Sequence, residues 1–206
     1  MLMSPAAPFL YVLSATASNP NTNTISVFSI AGNGTLASVP GAFTGLTNST
    51  IAGITTDPQG QFMYAADSAN NDVISLSIAS SGALSEVAGS PFAAGTQPVA
   101  VAVSGTGAFV YVSNSGSNDV SAFKSNAGVL SEVTGSPFST QGSGAVAATQ
   151  PGFLIVDATN TFLYVGNVAT RGIAGFGINN ADGTLVPVTN SPFGQLIAPL
   201  SMVSTK

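Results

Sequence analysis

An aromatic–apolar–tyrosine triplet recurs four times along the chain: Phe9-Leu10-Tyr11, Phe62-Met63-Tyr64, Phe109-Val110-Tyr111 and Phe162-Leu163-Tyr164. The triplets hold all four tyrosines of the sequence, at spacings of 53, 47 and 53 residues. A period near fifty residues built from strand-like pieces specifies a propeller or a solenoid. Each unit is too small to bury its own apolar faces and has to stack on its neighbours. The 206 residues therefore read as one domain, with repeats at about 1–50, 51–97, 98–150 and 151–198.

Alignment on the tyrosines resolves each unit into four strand-like segments. A short apolar run comes first, as in Val99 to Val103, Ile51 to Thr55 and Leu154 to Val156. A turn follows; Asp57-Pro58-Gln59-Gly60 has the Asp-Pro-x-Gly order of a type I turn, with Ser104-Gly105-Thr106-Gly107 and Asp157-Ala158-Thr159-Asn160 in the same place. The tyrosine strand is apolar in both parities, as expected of a strand covered on both faces. A third strand (Ile25 to Phe28, Val73 to Leu76, Val120 to Phe123, Ile173 to Phe176) leads to a Gly-x-Leu turn. The fourth strand is expected to end in Ser-Pro-Phe at Ser90, Ser136 and Ser191, with Gly41-Ala42-Phe43 in the first copy. No segment shows a helical period. The fold class is thus all-β, a β-propeller of four-stranded blades. A solenoid is the competing arrangement; the small, apolar first strand (Ala100, Val101, Ala102, Val103) favours strands crowded around an axis.

The ends break the period. Pro199 to Ser204 matches Pro98 to Ser104, an extra inner strand at 199–204, whereas Met1 to Ser4 matches only the tail of that strand. Three arrangements satisfy this: closure of a four-blade ring across the termini, head-to-tail pairing of two chains into an eight-bladed ring, or membership of a longer propeller. Exchange of terminal strands would make the chain a homo-oligomer or a self-assembling surface protein.

Charged residues are only 5% of the chain against 45% hydrophobic, and the net charge is −5 with Lys124, Arg171 and Lys206 as the only cations. Three scattered cations cannot displace counterions from a nucleic acid or hold an anionic membrane surface. With no cysteine, disulfides, thiolate catalysis and zinc–sulfur sites are excluded. No apolar run approaches the roughly 20 residues of a spanning helix, so no membrane insertion is expected.

The Tyr-Val-x-Asn strands (Tyr111 to Asn114, Tyr164 to Asn167), the Asn-Asp-Val at Asn71 and Asn118, the Gly-x-Leu turns and the Gly-Ser-Pro-Phe endings resemble the YVTN-type β-propellers, which belong with the lactonase-like, 6-phosphogluconolactonase-type propellers. The resemblance spans nearly the whole chain. It implies a propeller fold and sugar-lactone opening as one activity, alongside surface or secreted members. Family lactonases are expected to use histidine, arginine and acidic side chains near the axis; this chain has no histidine and one arginine, so no catalytic residue carries across.

The candidate binding residues are Asp67, Asn114, Asn167 and Arg171. The first three share the position after the tyrosine strand, where a polar ring could meet a carbohydrate; the more common role of Asx at a strand end is turn formation. Arg171 replaces the asparagine of Asn71 and Asn118 and is the only guanidinium available for carboxylate or phosphate capture. Glu86 and Glu132 share a repeat position on the outermost strand and are expected to face solvent on separate blades. Asp57 and Asp157 are expected to bond their own turns. A Ca²⁺ held by them is the weaker reading, since six to eight oxygens are needed, and no other metal or cofactor is expected. These readings favour an extracellular or cell-surface module that binds a carbohydrate or protein ligand without evident catalytic machinery. The alternative is a lactonase-like hydrolase of sugar lactones.

Overall fold

A computed structural model describes residues 1–16, 19–40, 46, 49–140 and 151–194. Four antiparallel sheets follow one another along the chain, each with its strands in sequence order. The first comprises β1 (Leu2–Met3), β2 (Phe9–Thr16), β3 (Asn19–Ile30) and β4 (Leu36–Ser38). The second runs β5 (Ile51–Thr56), β6 (Phe62–Asp67), β7 (Asp72–Ile78) and β8 (Leu84–Glu86), with a short β9 (Phe92–Ala93). The third repeats this as β10 (Pro98–Val103), β11 (Phe109–Asn114), β12 (Asp119–Asn126), β13 (Val129–Glu132) and β14 (Phe138–Ser139). The fourth contains β15 (Pro151–Val156), β16 (Phe162–Asn167), β17 (Gly172–Ile178) and β18 (Leu185–Pro187). These are propeller blades. No helix occurs among the described residues. The expected terminal strand at 199–204 and the Gly41-Ala42-Phe43 counterpart lie outside them.

One expectation is corrected. The Ser-Pro-Phe motif is not the end of the fourth strand. After β8 the chain turns at Gly89 and comes back, so that Phe92 pairs with Val73 at the start of β7; Phe138 pairs likewise with Val120, and Phe193 bridges Ile173. The fourth strand is short and covers only the second half of the third, which leaves the first half free to take the motif. The motif serine anchors this return. Its hydroxyl accepts the backbone N–H of Ser75 from Ser90 (3.0 Å), of Ala122 from Ser136 (3.0 Å) and of Gly175 from Ser191 (2.8 Å).

Tightness at the first strand follows from small residues. A Cβ added at Gly53 on β5 would lie 3.0 Å from the Val99 carbonyl and 3.2 Å from the Ala100 Cα on β10. Inner strands approach this closely only when their side chains are nearly absent, which confirms the crowding inferred from Ala100 to Val103.

The core is three interfaces between consecutive blades. Tyr11, Ile25 and Val27 of blade 1 pack on Met63, Ala65, Leu76 and Leu84 of blade 2. The other face of blade 2, with Tyr64, Ala66 and Val73, meets Val110, Val112, Phe123 and Leu130 of blade 3. Phe109, Tyr111 and Ala122 of blade 3 then meet Leu163, Val165, Phe176 and Leu185 of blade 4. Both parities of β6 and β11 are consumed, as their apolar pattern demanded. The blade-to-blade contact is directional: the phenylalanine of each of the first three triplets lies on the Gly-x-Leu turn of the next blade. A Cβ at Gly82 would sit 2.8 Å from the Phe9 ring, one at Gly128 would sit 2.5 Å from the Phe62 ring, and one at Gly183 would overlap the Phe109 ring.

This contact can be tested against backbone strain alone. Gly34 and Gly128 share the left-handed conformation (φ 82° and 79°), but Gly34 has nothing within 4 Å of its would-be Cβ. Gly34→Ala should cost about 1 kcal/mol from φ alone. Gly128→Ala should cost about 2–4 kcal/mol, because the Phe62 ring has to move as well. Urea unfolding of the two variants measures the difference, and equal losses would remove the packing role of the turn.

Candidate functional site

The inner strands open into a groove of about 470 Å³ lined by Ala52, Val99, Ser115, Pro151, Gly152, Phe153 and Val168. Its walls come from the first residues of β5, β10 and β15 and from the loops that follow β11 and β16. Apolar carbon dominates this surface. Among the described residues Ser115 is its one side-chain hydroxyl, and it donates to the Gln97 carbonyl (3.1 Å). The size suits a small-molecule ligand, for which sites of about 300–1,000 Å³ are usual.

Asp67, Asn114 and Asn167 stand at this same end, as the last residues of β6, β11 and β16, each paired in register with the start of an inner strand (Ile51, Pro98 and Pro151). All three side chains are fully buried and bonded to the frame. Asp67 accepts the backbone N–H groups of Thr50 (2.9 Å) and Ala69 (3.0 Å) and the Asn70 amide (2.7 Å). Asn114 donates to Asp119 (2.8 Å) and Ser121 (2.9 Å), and Asn167 donates to the Thr140 carbonyl (3.2 Å). The three share one position in the repeat, and the bonds they make are those of loop anchors.

Arg171 is exposed and its backbone is left-handed (φ 57°), as at Asn71 (φ 61°) and Asn118 (φ 62°). Asparagine tolerates this conformation through local side-chain bonding, and arginine does not. Asn71 also accepts the N–H of Gln97 at the next blade (2.8 Å), as Asn23 accepts that of Ile51 (2.7 Å); a guanidinium has no acceptor with which to do so. Glu86 and Glu132 are exposed on separate blades, as their shared repeat position implies.

Asp57 is buried and its carboxylate accepts from the N–H groups of Gln61 (2.7 Å) and Phe62 (2.8 Å). Asp157 does the same with Thr161 and Phe162 (both 2.7 Å), and also takes Thr159. The expected turn bond is made two residues on at Asp157, from the Thr159 N–H (3.1 Å), and bonds four and five residues on at both aspartates also close the hairpin. Ser104 fills the place with its hydroxyl, accepting from Phe109 N–H (3.0 Å). Burial opposes ionisation of Asp157, but the bonds from Thr159, Phe162 and Thr161 outweigh it and hold the carboxyl below its ordinary value. Among the described residues no three of His, Cys, Asp or Glu gather as a metal site would require.

The residue that sequence reasoning missed is Asp72. It lies directly across from Asp67 at the start of β7, and its buried Oδ1 has no hydrogen-bond partner. Burial, then the charges of Asp67 and Glu86, push its carboxyl up to about 6. The contrast with blade 3 explains this. There Asn114 faces Asp119 and gives it an amide proton, whereas in blade 2 one acceptor-only carboxylate faces another. The signal was legible as a substitution within the repeat, Asp67 where the next copies have Asn114 and Asn167.

The sequence matches the family described as Lactonase, 7-bladed beta-propeller, over residues 4–142 and 54–199. The chain belongs to the lactonase family of seven-bladed β-propellers. Solved structures agree on the fold. A candidate 6-phosphogluconolactonase of Bacteroides uniformis superposes with a TM-score of 0.72 at 20% identity, covering 91% of this chain and 55% of its own. The periplasmic gluconolactonase of Pseudomonas aeruginosa gives 0.69 at 20% identity, with 88% and 53% covered. A candidate 6-phosphogluconolactonase of Bacteroides fragilis gives 0.67 at 20% identity, with 88% and 56%. This lactonase-family chain thus spans little more than half the length of these structures. No curated protein matches it.

The Asp67–Asp72 pair gives a pH prediction. Asp72 binds its proton more tightly folded than unfolded, so its contribution is favourable below pH 3.8 and is lost as the pH rises through about 6. Asp67→Asn, which restores the blade 3 pairing, should flatten the stability profile over that window. It should raise stability at neutral pH by about 1 kcal/mol, a gain kept small by the partial exposure of the site. Carboxyl-carbon NMR titration should show the Asp72 midpoint falling; an unmoved midpoint would rule out the Asp67 charge as a cause.

Proposed function

We propose that this lactonase-family chain receives a sugar lactone, or the sugar acid made from it, in the groove at Ala52, Val99 and Phe153, and opens the lactone ring. The observation that carries the reading is the family match along 4–199, combined with a groove of ligand size at the start of the inner strands. Phe153 and the apolar wall would take the C–H face of the ring, and exposed backbone groups together with Ser115 would meet its hydroxyls. Ring opening adds water across the ester carbonyl, breaks the C–O bond within the ring and releases a carboxylic acid with a free hydroxyl. It is helped by a group that accepts the proton of the water. Asp72, at the same end of its blade, is the one described carboxyl raised toward neutrality, to about 6.

A second reading is supported by the groove lining, which carries no acid, base or histidine among the described residues. In that reading the chain is a carbohydrate-binding module outside the cell or on its surface, without turnover.

One pair of measurements separates the readings. Opening of glucono-δ-lactone, followed by pH-stat against the buffer rate, should be accelerated by the chain. Phe153→Ala should lower the acceleration at least tenfold, and Asp72→Asn should remove its rise through about pH 6. Calorimetric binding of lactone or gluconate without acceleration selects the module. Neither binding nor acceleration discards both readings.

A further inference from the structure

A regular strand sends successive side chains to opposite faces of its sheet, here toward the two neighbouring blades. The inner strands β5, β10 and β15 each interrupt that alternation once, at the same place. Against the middle strand the register steps from Ile51 to Gly53, from Pro98 to Ala100 and from Pro151 to Phe153, while the partner advances by a single residue. The residues passed over are Ala52, Val99 and Gly152. Such a β-bulge leaves its extra residue out of the ladder and re-aims its side chain. All three extra residues line the groove.

Past the bulge the alternation resumes and the strand belongs to the core. Val101 and Val103 pack into the interface between blades 2 and 3, and Leu154 and Val156 into that between blades 3 and 4. A Cβ at Gly53 would press on the β10 backbone. None of Ala52, Val99 and Gly152 belongs to an interface cluster. Their side chains therefore differ in size at no cost to blade packing. In blades 3 and 4 the bulge residue shares the groove wall with the residue after the buried asparagine, Val99 with Ser115 and Gly152 with Val168. Bulk sits on the inner strand in blade 3 and on the loop in blade 4. The exchange has a steric reason, since a Cβ at Gly152 would lie 2.8 Å from Val168 Cγ2.

We propose that the three bulge positions, 52, 99 and 152, select the substrate: the side chain that each carries decides how large a ring substituent the groove admits. The proposal rests on the reading of the groove as a sugar-lactone site. Alanine, valine and glycine bring no hydrogen-bonding side chain to the wall, so the choice they make is one of shape. Apolar walls discriminate by size, one methylene more or less being worth a factor of about 10–200. The bulge is what makes these positions suited to it. A methyl gained or lost at 99 or 152 is felt by the ligand, whereas the same change at Val101 is felt by the blade interface.

Two lactones of one ring size read the selection, glucono-δ-lactone with its hydroxyls and hydroxymethyl group and unsubstituted δ-valerolactone. The quantity compared is the ratio of their kcat/KM values, substituted over unsubstituted. Val99→Ala widens the groove and should raise the ratio at least about fivefold; Gly152→Ala adds a methyl beside Val168 and should lower it at least about fivefold. Val101→Ala, two residues further along the same strand, should lower the urea midpoint and leave the ratio within about twofold. If Gly152→Ala fails to fold, Ala52→Val takes its place with the same sign. Turnover whose ratio Val99→Ala and Gly152→Ala leave unmoved, or which Val101→Ala moves as far, overturns the selection while the lactone reading stands. A chain that opens neither lactone overturns the lactone reading. The ratio is then taken from calorimetric dissociation constants of gluconate and 5-hydroxypentanoate: shifts of the same signs uphold the selection, and an unmoved ratio or no binding overturns it as well.

Discussion

The stacking of a phenylalanine ring over the glycine turn of the next blade is the contact on which the rest of the structure depends. A four-stranded sheet that is apolar on both faces cannot stand in water, and each face needs a partner of the same curvature. The turn at Gly82, Gly128 and Gly183 solves two demands with one residue. It reverses the chain with a left-handed backbone, and it leaves empty the volume into which Phe9, Phe62 and Phe109 project. Burial of such a ring stabilises by roughly 1.5–3 kcal/mol. Because the knob is always on one face and the socket on the other, the stack has a direction.

Around that apolar stack runs a frame of neutral hydrogen bonds. A chain with 5% charged residues satisfies its buried backbone with serine, asparagine and a few aspartates rather than with ion pairs. Asp57, Ser104 and Asp157 close the hairpins after the inner strands, and Ser90, Ser136 and Ser191 hold the returning Ser-Pro-Phe segments against the third strands. Tyr64 and Tyr111 carry the frame across blades, to Ser125 (2.8 Å) and to the Gly183 carbonyl (3.3 Å). Burial raises the pKa of both hydroxyls, which keeps them protonated. The frame is not fully satisfied: the buried Oδ1 atoms of Asp72, Asn114 and Asn167 have no partner, and in the Asp67–Asp72 pair the repeat amide is replaced by a second carboxylate.

The propeller was legible because its period is covalent: strand order, turn residues and two-faced apolarity are properties of consecutive residues. The Asx positions were legible as a repeat and turn formation as their common role, but the partners they bond were not. Whether Asn114 faces a groove or a neighbouring loop depends on how β11 packs against the adjacent blade, and its full burial is a tertiary result. The groove was invisible for a similar reason. Ala52, Val99 and Phe153 carry no chemical signature, and they line one surface only because three inner strands converge. The path of Ser-Pro-Phe was misread because extending the fourth strand and returning to the third use the same residues, and the length of the fourth strand decides between them.

By itself, then, the sequence determined the architecture and its period, since each unit repeats the same local instructions and leaves its apolar faces without an internal partner. It also determined a surface poor in charge. Only the tertiary structure decided which polar residues are spent on the frame, where the groove lies, and that burial beside Asp67 pushes the Asp72 carboxyl up. Those depend on distances between blades, which no spacing along the chain contains.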